Sequence, residues 1–170
     1  MSANPVRDGL RLEPAPGPSV LVIFGATGDL SRRKLLPAVL NLARAHRLPP
    51  RFAVVGIARA DMDDEALRAL FRESLKEFGR IDSGEDDVVE SLAEHMRYLP
   101  GDSEDRALYT RLRALLDEIA PDSGVLFYLA IPPDLAPPVV RHLGDAGLSR
   151  ERHASAWRRV VIEKPFGSDL

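Results

Sequence analysis

The sequence contains no cysteine among its 170 residues. This absence excludes disulfide bonds, thiolate metal ligands and a cysteine nucleophile, and because it fits a reducing compartment we expect a cytoplasmic protein. No apolar run approaches the roughly 20 residues of a membrane-spanning helix, and the N-terminus lacks the basic-then-apolar pattern of a secretory signal. The formal net charge is only −3, which gives no long-range field to attract nucleic acid or lipid. We therefore expect neither a membrane nor a nucleic acid as a partner.

Hydrophobic residues make up 45% of the chain, enough for one sizeable core, since single domains most often hold about 100–150 residues. The first 18 residues depart from this composition, because they hold few apolar groups to offset the entropy of ordering. Their prolines are Pro5, Pro14, Pro16 and Pro18. We predict a flexible lead-in over residues 1–18 and one domain over residues 19–170.

Apolar, β-branched runs predict buried parallel strands over residues 19–24, 52–57 and 124–131, and a further strand over residues 159–163. Apolar residues at helical spacing predict helices over residues 34–44, 61–78, 86–96, 103–119 and 135–145. The first strand, helix and second strand occupy about forty residues, so they form a right-handed βαβ unit with adjacent strands. Repeated alternation of strand and helix predicts an α/β fold with a Rossmann-like, doubly wound parallel sheet.

A loop of sequence Gly-Ala-Thr-Gly-Asp-Leu-Ser, residues 25–31, joins the first predicted strand to the first helix. An open α/β sheet binds ligands at such a point, where glycines allow a tight turn and a close approach to pyrophosphate, and amide N–H groups face the anion. Ser31 stands where the common dinucleotide motif has its third glycine, and its side chain could also cap the helix. Taken alone, the loop fits either a dinucleotide site or an ordinary tight turn. A P-loop is excluded, because that motif needs four residues between its glycines and two separate Gly25 from Gly28.

Charged residues near this loop predict which dinucleotide binds. Arg32, Arg33 and Lys34 follow the loop, and three cations in a first helical turn oppose the helix dipole unless an anion lies nearby. The second predicted strand ends at Arg59, where enzymes that use NAD usually carry an acidic residue for the adenosine 2′-hydroxyl. A guanidinium would instead pair with a 2′-phosphate, so charge predicts NADP as the cofactor if the loop is a dinucleotide site.

Four segments together resemble the glucose-6-phosphate dehydrogenase family, in the order in which that family carries them. They are Gly-Ala-Thr-Gly-Asp-Leu-Ser-Arg-Arg-Lys at residues 25–34, Gly-Ile-Ala-Arg at 56–59, Leu-Phe-Tyr-Leu-Ala-Ile-Pro-Pro at 126–133 and Glu-Lys-Pro-Phe-Gly at 163–167. The resemblance covers residues 20–170 and is strongest at residues 163–167. It implies an NADP-dependent oxidoreductase acting on a CH–OH group, which oxidises glucose 6-phosphate to 6-phosphoglucono-1,5-lactone and forms NADPH. This reaction is the first step of the oxidative pentose phosphate pathway in glucose metabolism.

The resemblance also implies roles for individual residues. Arg59 would bind the 2′-phosphate of NADP, and Lys34 would reach toward the substrate and the nicotinamide. Lys164 would bind glucose 6-phosphate, and Pro165 would lie beside the nicotinamide. The cofactor-binding residues implied in this way are Gly25, Ala26, Thr27, Gly28, Asp29, Leu30, Lys34, Arg59, Ala130, Pro132, Lys164 and Pro165.

The family's general base is a histidine, held by an acidic partner, in a segment downstream of the Glu-Lys-Pro motif that this sequence does not contain. The histidines present show no spacing that pairs them with a carboxylate or a metal, so we predict no catalytic residue and no metal site among them. They are His46, His95, His142 and His153.

We therefore expect the coenzyme domain of a longer, homo-oligomeric enzyme. This domain would be truncated or excised, inactive alone, and without the family's C-terminal α+β substrate and dimerisation domain. Two alternatives are a stand-alone NADP(H)-binding module without catalysis and a different Rossmann oxidoreductase. The second does not account simply for residues 163–167.

Overall fold

Strands and helices alternate along the part of the chain that the structure, a computed structural model, describes, which is residues 17–79 and 84–163. The strands are β1 (Ser19–Phe24), β2 (Phe52–Ala58), β3 (Met96–Pro100), β4 (Gly124–Leu129) and β5 (Arg158–Ile162). The α-helices are α1 (Leu36–Arg44), α2 (Asp64–Phe78), α3 (Asp86–Glu94), α4 (Arg106–Ile119) and α5 (Ala136–Asp145). A π-helical turn, Ser31–Leu35, leads directly into α1, and a 3₁₀ turn, Pro133–Leu135, leads into α5.

The strands form one parallel sheet in the order β3-β2-β1-β4-β5. Strand β1 is central, and its first residue Ser19 pairs with Phe52 of β2 on one side and with Gly124 of β4 on the other. The chain therefore moves outward from β1 in one direction and then returns to its other side, which puts crossover helices on both faces of the sheet. This arrangement confirms the predicted α/β, Rossmann-like fold.

Each face of the sheet carries its own apolar core. Helices α4 and α5 pack on one face, where they cover residues such as Phe24. Helices α1, α2 and α3 pack on the other face, where they cover residues such as Ile23. Ile23 and Phe24, which are adjacent in β1 and face opposite sides of the sheet, are both fully buried. This explains why β1 is an unbroken apolar run rather than an alternating one.

Strand β3 was not predicted, because the apolar pattern of the sequence indicates a helix as far as residue 96. Helix α3 ends at Glu94, and Met96 begins β3. Met96 and Tyr98 face the core, whereas Arg97 between them faces outward, with its Nε 2.8 Å from Oδ2 of Asp64. A strand at the edge of a sheet alternates in this way and has no continuous apolar run to mark it.

Other predicted boundaries shift by a few residues. Strand β4 ends at Leu129 rather than at residue 131, since prolines without N–H donors follow soon after. Helix α2 begins at Asp64 rather than at residue 61, because the side chain of Asp63 caps it by accepting from the N–H of Ala66 at 2.8 Å. Helix α4 likewise begins at Arg106, capped by Asp105.

Two predictions concern residues that the structure does not describe. The lead-in predicted over residues 1–18 lies outside the described residues except for its last two positions, and residues 164–167 of the Glu-Lys-Pro motif lie outside them as well. Among the described residues, no helix is both long enough and apolar enough to cross a membrane.

Candidate functional site

A cleft of about 500 Å³ opens at the carboxyl ends of the parallel strands. It lies beside the ends of β1 and β4, the adjacent strands whose following helices pack on opposite faces of the sheet. Open α/β sheets bind ligands at this switch point. Its lining comprises Phe24, Gly25, Thr27, Gly28, Ile57, Ala58, Arg59, Ala60, Gly101, Asp102, Ser103, Glu104, Ala130, Ile131, Pro132 and Leu135.

Gly25 allows the chain after β1 to turn against the chain after β4. Its φ is +84°, a left-handed conformation that side chains disfavour. A Cβ at this position would lie 2.2 Å from the carbonyl oxygen of Ala130, so only glycine fits. The predicted cofactor residues Gly25 and Ala130 therefore lie in contact on the floor of the cleft.

Both glycine amides of the loop, and the amide of Ala26, are already used within the protein. The N–H groups of Gly25 and Ala26 both donate to the carbonyl of Ile57, at 2.9 and 3.0 Å, and the N–H of Gly28 donates to the carbonyl of Gly25 at 3.0 Å. Thr27 has no hydrogen bond to another described residue and lines the cleft. An anion in the cleft therefore finds the amide and hydroxyl of Thr27 available, but not the amides of Gly25, Ala26 and Gly28.

Ser31 fixes the loop to the helical turn that follows it. Its side chain is fully buried, and its hydroxyl donates to the carbonyl oxygen of Gly25 at 2.9 Å. The suggested helix-capping role of Ser31 is wrong, because the residue lies inside the π-helical turn and bonds back to the loop.

The π-helical turn follows from a proline one position into α1. Pro37 has no N–H to donate and its ring crowds the preceding turn, so the backbone widens and the N–H of Leu36 donates to the carbonyl of Ser31, five residues back. The helical run consequently starts before the predicted residue 34.

Two of the three cations on this turn have carboxylate partners in the protein. Arg33 Nε lies 2.6 Å from Oδ1 of Asp29, and Arg32 Nη2 lies 3.5 Å from Oε2 of Glu77. Lys34 is exposed, and it has no charged or hydrogen-bonding partner among residues 17–79 and 84–163. These ion pairs neutralise two of the three positive charges that, in the sequence, indicate an anion nearby.

The predicted cofactor residues at the start of the helix lie outside the main cleft. Asp29 borders a separate hollow of about 180 Å³ with Thr27, Arg32 and Arg33. Leu30 and Lys34 do not line the cleft. Their roles toward the cofactor stay predictions.

Arg59 also lines the cleft and comes directly after β2, the strand next to β1. It is exposed, and no described residue forms an ion pair or hydrogen bond with it. This isolation contrasts with Arg32 and Arg33, which are paired. A guanidinium without a partner, beside a glycine loop, is available to an anionic ligand.

The third wall comes from the end of β4 and includes the predicted residues Ala130 and Pro132. Two residues before Ala130, the hydroxyl of Tyr128 on β4 donates to the carboxylate of Glu163, the residue after β5. Burial raises the pKa of Tyr128 to about 12, and the Glu163 carboxylate is the second cause. This bond ties β4 to the residue that precedes Lys164 and Pro165, which themselves lie outside the described residues.

The turn between β3 and α4 supplies a fourth wall that the sequence analysis did not identify. Asp102, Ser103 and Glu104 line the cleft. The N–H of Glu104 donates to Oδ1 of Asp102 at 3.0 Å, and the hydroxyl of Tyr109 donates to the carbonyl of Ser103 at 2.5 Å. The signal that could have predicted this wall is β3 itself. In a parallel sheet the chain leaves every strand at the same edge, so the turn after β3 lies beside the cleft.

None of the four histidines lines the cleft. His153 Nε2 lies 3.2 Å from Oδ1 of Asp122, a carboxylate partner that sequence spacing did not reveal. The ring of His142 packs against Tyr109, with centroids 5.1 Å apart. Within the described ranges, no three histidine or carboxylate side chains are grouped to bind a metal.

Comparison with known proteins gives consistent matches. A family model described as glucose-6-phosphate dehydrogenase, NAD binding domain, matches residues 22–170. The chain is 40% identical to glucose-6-phosphate 1-dehydrogenase 2 of Mycobacterium tuberculosis, over 98% of this chain and 33% of that protein. It is 33% identical to glucose-6-phosphate 1-dehydrogenase of Leuconostoc mesenteroides, over 88% of this chain and 30% of that protein. The chain therefore spans about a third of the length of the curated relatives it matches.

Solved structures agree with these matches. The crystal structure of glucose-6-phosphate 1-dehydrogenase from Mycobacterium avium superposes with a TM-score of 0.74 at 37% identity, over 88% of this chain and 30% of that one. A glucose-6-phosphate dehydrogenase in complex with its substrate glucose-6-phosphate superposes with a TM-score of 0.76 at 32% identity, over 89% and 31% of the two chains.

Proposed function

This chain belongs to the glucose-6-phosphate dehydrogenase family, and from that premise we propose that it is the coenzyme-binding part of an NADP-dependent glucose-6-phosphate 1-dehydrogenase. The whole enzyme would oxidise D-glucose 6-phosphate to 6-phosphoglucono-1,5-lactone, the first step of the oxidative pentose phosphate pathway. NADP, when bound, supplies the hydride acceptor for this oxidation. We propose further that the whole enzyme is a homo-oligomer and that it lies in the cytoplasm. The absence of cysteine from this chain supports that location.

The guanidinium of Arg59, which no described residue pairs, is the observation that carries the choice of NADP. Its neighbours in the cleft are the glycine loop at one side and the β3–α4 turn at the other. The acidic side chains of that turn, Asp102 and Glu104, form no ion pair with it. A 2′-phosphate would complete the charge balance of Arg59, whereas the 2′-hydroxyl of NAD would not.

The rest of the cleft fits a dinucleotide in shape and chemistry. Gly25 and Gly28 keep side chains away from the floor, and Thr27 offers a hydroxyl and a free amide to a pyrophosphate. Ala130 and Pro132 form an apolar wall, and Pro132 has no N–H to donate. Such a wall suits an aromatic ring of the dinucleotide that packs without hydrogen bonds. The volume of about 500 Å³ suits a ligand of this class.

Calorimetric titration with NADP and with NAD tests the coenzyme assignment. We expect the chain to bind NADP more tightly than NAD. The Arg59→Ala variant should lose about 1.5–3 kcal/mol of NADP affinity, the worth of hydrogen bonds to a charged group, with NAD affinity unchanged. Arg47→Ala is the matched control, because Arg47 is exposed before β2 at the other end of the sheet. Equal loss for both coenzymes, or the same loss in Arg47→Ala, would contradict a 2′-phosphate contact.

Turnover of glucose 6-phosphate is not expected from the chain alone. The roles proposed for Lys164 on the sugar and for Pro165 beside the nicotinamide concern residues outside the described ranges, and the general-base histidine is expected downstream of them. The purified chain should therefore bind coenzyme and produce no NADPH from glucose 6-phosphate. Formation of NADPH by this chain would refute that part of the proposal, whereas coenzyme binding without turnover also matches a stand-alone NADP(H)-binding module.

A further inference from the structure

Tyr98 on β3 reaches both carbonyl groups that flank Arg59. Its hydroxyl oxygen lies 2.8 Å from the carbonyl oxygen of Ala60 and 3.1 Å from that of Ala58. A phenol has one proton to donate, so the two carbonyls share it and the nearer one receives the better hydrogen bond. The backbone on either side of Arg59 is thus held by a single side chain.

The tyrosine is itself firmly placed. Its ring is part of the core beneath α2, and only 7% of the residue is exposed. Its N–H donates to Oδ1 of Asp64, the first residue of α2, at 2.6 Å. Burial, followed by the charge of Asp61, raises the pKa of Tyr98 above its ordinary value. The hydroxyl therefore stays protonated, and remains a donor, through the physiological pH range.

The two carbonyls differ in how much they depend on Tyr98. The carbonyl of Ala58 also accepts from the N–H of Gly101 at 2.9 Å, so it is held without the phenol. For the carbonyl of Ala60, the phenol is the one donor among the described residues. Residues 59 and 60 are both exposed and lie beyond the last residue of β2. Without the Tyr98 hydroxyl, the carbonyl of Ala60 would have no hydrogen-bond donor among the described residues.

We propose that Tyr98 is a positioning residue that aims Arg59 into the cleft and thereby determines the preference for a 2′-phosphate over a 2′-hydroxyl. The inference rests on the proposed coenzyme function. Its physical basis is that an arginine on an ordered backbone loses less conformational freedom when it forms a bidentate pair with phosphate than one on a mobile backbone. Tyr98 touches no ligand in this scheme, so its effect appears only in the contact that Arg59 makes.

The Tyr98→Phe variant tests this assignment, because it removes the hydroxyl and keeps the ring in the core. Dissociation constants for NADP and NAD are measured by calorimetry on the 170-residue chain. We expect NADP affinity to fall about threefold to tenfold, the range for one net hydrogen bond, with NAD affinity unchanged within about twofold. A purely structural role would weaken both coenzymes equally.

A double-mutant cycle with Arg59→Ala sharpens the result. If Tyr98 acts through Arg59, adding Tyr98→Phe to Arg59→Ala causes no further loss of NADP affinity. Tyr109→Phe is the matched control, since the hydroxyl of Tyr109 is also buried and also donates to a cleft carbonyl, that of Ser103. It should leave the ratio of NADP to NAD affinities unchanged.

The outcomes separate this inference from the proposed function. If Arg59→Ala leaves the NADP to NAD ratio unchanged, the 2′-phosphate site itself is refuted. If Arg59→Ala lowers the ratio and Tyr98→Phe does not, the coenzyme site stands and the positioning role of Tyr98 is overturned. Should Tyr98→Phe fail to fold by circular dichroism, the variant is measured in a stabilising osmolyte, with the wild type in the same solution. A lowered ratio in Tyr98→Phe under these conditions supports the inference, and an unchanged ratio overturns it.

Discussion

The hydroxyl of Ser31 donates to the carbonyl oxygen of Gly25 across six residues of chain, at 2.9 Å. The bond closes the glycine loop onto the π-helical turn that follows it, and it lies in a fully buried position. A third glycine, as in the common dinucleotide motif, would leave the loop without this bond. In this protein the loop is held by a side chain as well as by its backbone turn.

Replacing Ser31 with alanine tests how much this bond contributes. Because the Gly25 carbonyl also accepts from the N–H of Gly28, no buried acceptor is left unsatisfied, and we expect a loss of about 1 kcal/mol in unfolding free energy. NADP affinity should fall on the order of threefold, since the loop must be ordered on binding. Urea denaturation and calorimetry measure the two effects.

Ser74→Ala is the control for this experiment. Ser74 is equally buried, and its hydroxyl donates to the carbonyl of Leu70 within α2. It should lower stability by a similar amount and leave NADP affinity unchanged. Equal loss of NADP affinity in both variants would mean that general destabilisation, and not the loop, weakens binding.

Gly25→Ala should be strongly destabilising. The substitution combines a positive φ with a Cβ only 2.2 Å from the carbonyl oxygen of Ala130, so we expect a loss of at least about 2 kcal/mol. Gly144→Ala provides the contrast, because Gly144 lies in α5 with open space around its Cβ position. It should be neutral or stabilising by about 0.5–1 kcal/mol. Thermal melts of the two variants that shift in the same direction would contradict the close contact between residues 25 and 130.

The hydrogen bond between Tyr128 and Glu163 should be visible in an alkaline titration. The folded pKa of Tyr128, about 12, lies above the ordinary value near 10. The folded chain therefore holds this proton more tightly than the unfolded chain, and unfolding free energy falls as the pH rises from about 10 toward 12.

Glu163→Gln should lower the pKa of Tyr128 but leave it above the ordinary value, because burial is the larger cause. The ultraviolet absorbance of tyrosinate follows this titration, and Tyr128→Phe identifies which transition belongs to Tyr128. An unchanged titration in Glu163→Gln would show that the carboxylate does not accept this bond.

The ion pairs of Arg72 should make the stability of the folded chain depend on pH in the acid range. Its guanidinium bonds Glu90 of α3 through two nitrogens, each at 2.8 Å, and Glu65 of α2 at 2.9 Å. Hydrogen bonds from Arg72 hold the pKa of both carboxyls below the ordinary value. The stabilisation is therefore present above that value and is lost as the pH falls through the lowered pKa values.

The thermal stability of the wild type should consequently fall more than that of Arg72→Gln when the pH is lowered from about 7 to about 3. Arg106→Gln serves as the comparison, because Arg106 makes one longer contact, 3.4 Å, with Asp145, and both side chains are more than half exposed. Its pH dependence should match that of the wild type. Parallel pH profiles for the wild type and Arg72→Gln would refute the prediction.

The parts of the fold that depend on local pattern were predictable from the sequence, and those that depend on distant contacts were not. Strands β1, β2 and β4 are buried on both faces, so their unbroken apolar runs located them within two residues. Strand β3 lies at the edge and alternates, so its pattern predicted neither the strand nor the cleft wall that follows it, formed by Asp102, Ser103 and Glu104.

The same division holds within the candidate site. Arg59 was predicted from its place at a strand end, a local signal. The partner of Arg32 is Glu77 on α2, 45 residues away, and no spacing rule connects the two. The three consecutive cations therefore looked like an anion site in the sequence, although two of them are neutralised within the protein.

The strand order also has a consequence for the sequence of folding events. The glycine loop and Arg59 belong to the β1–β2 pair, which closes over a short stretch of chain, whereas Ala130 and Pro132 arrive with β4, whose partner in β1 is far more distant along the chain. Closing the longer segment costs more chain entropy and is slower. We therefore expect the wall with the arginine to form first and the cleft to gain its second wall only when β4 docks. Coenzyme would then bind the completed sheet and not the β1–β2 unit alone.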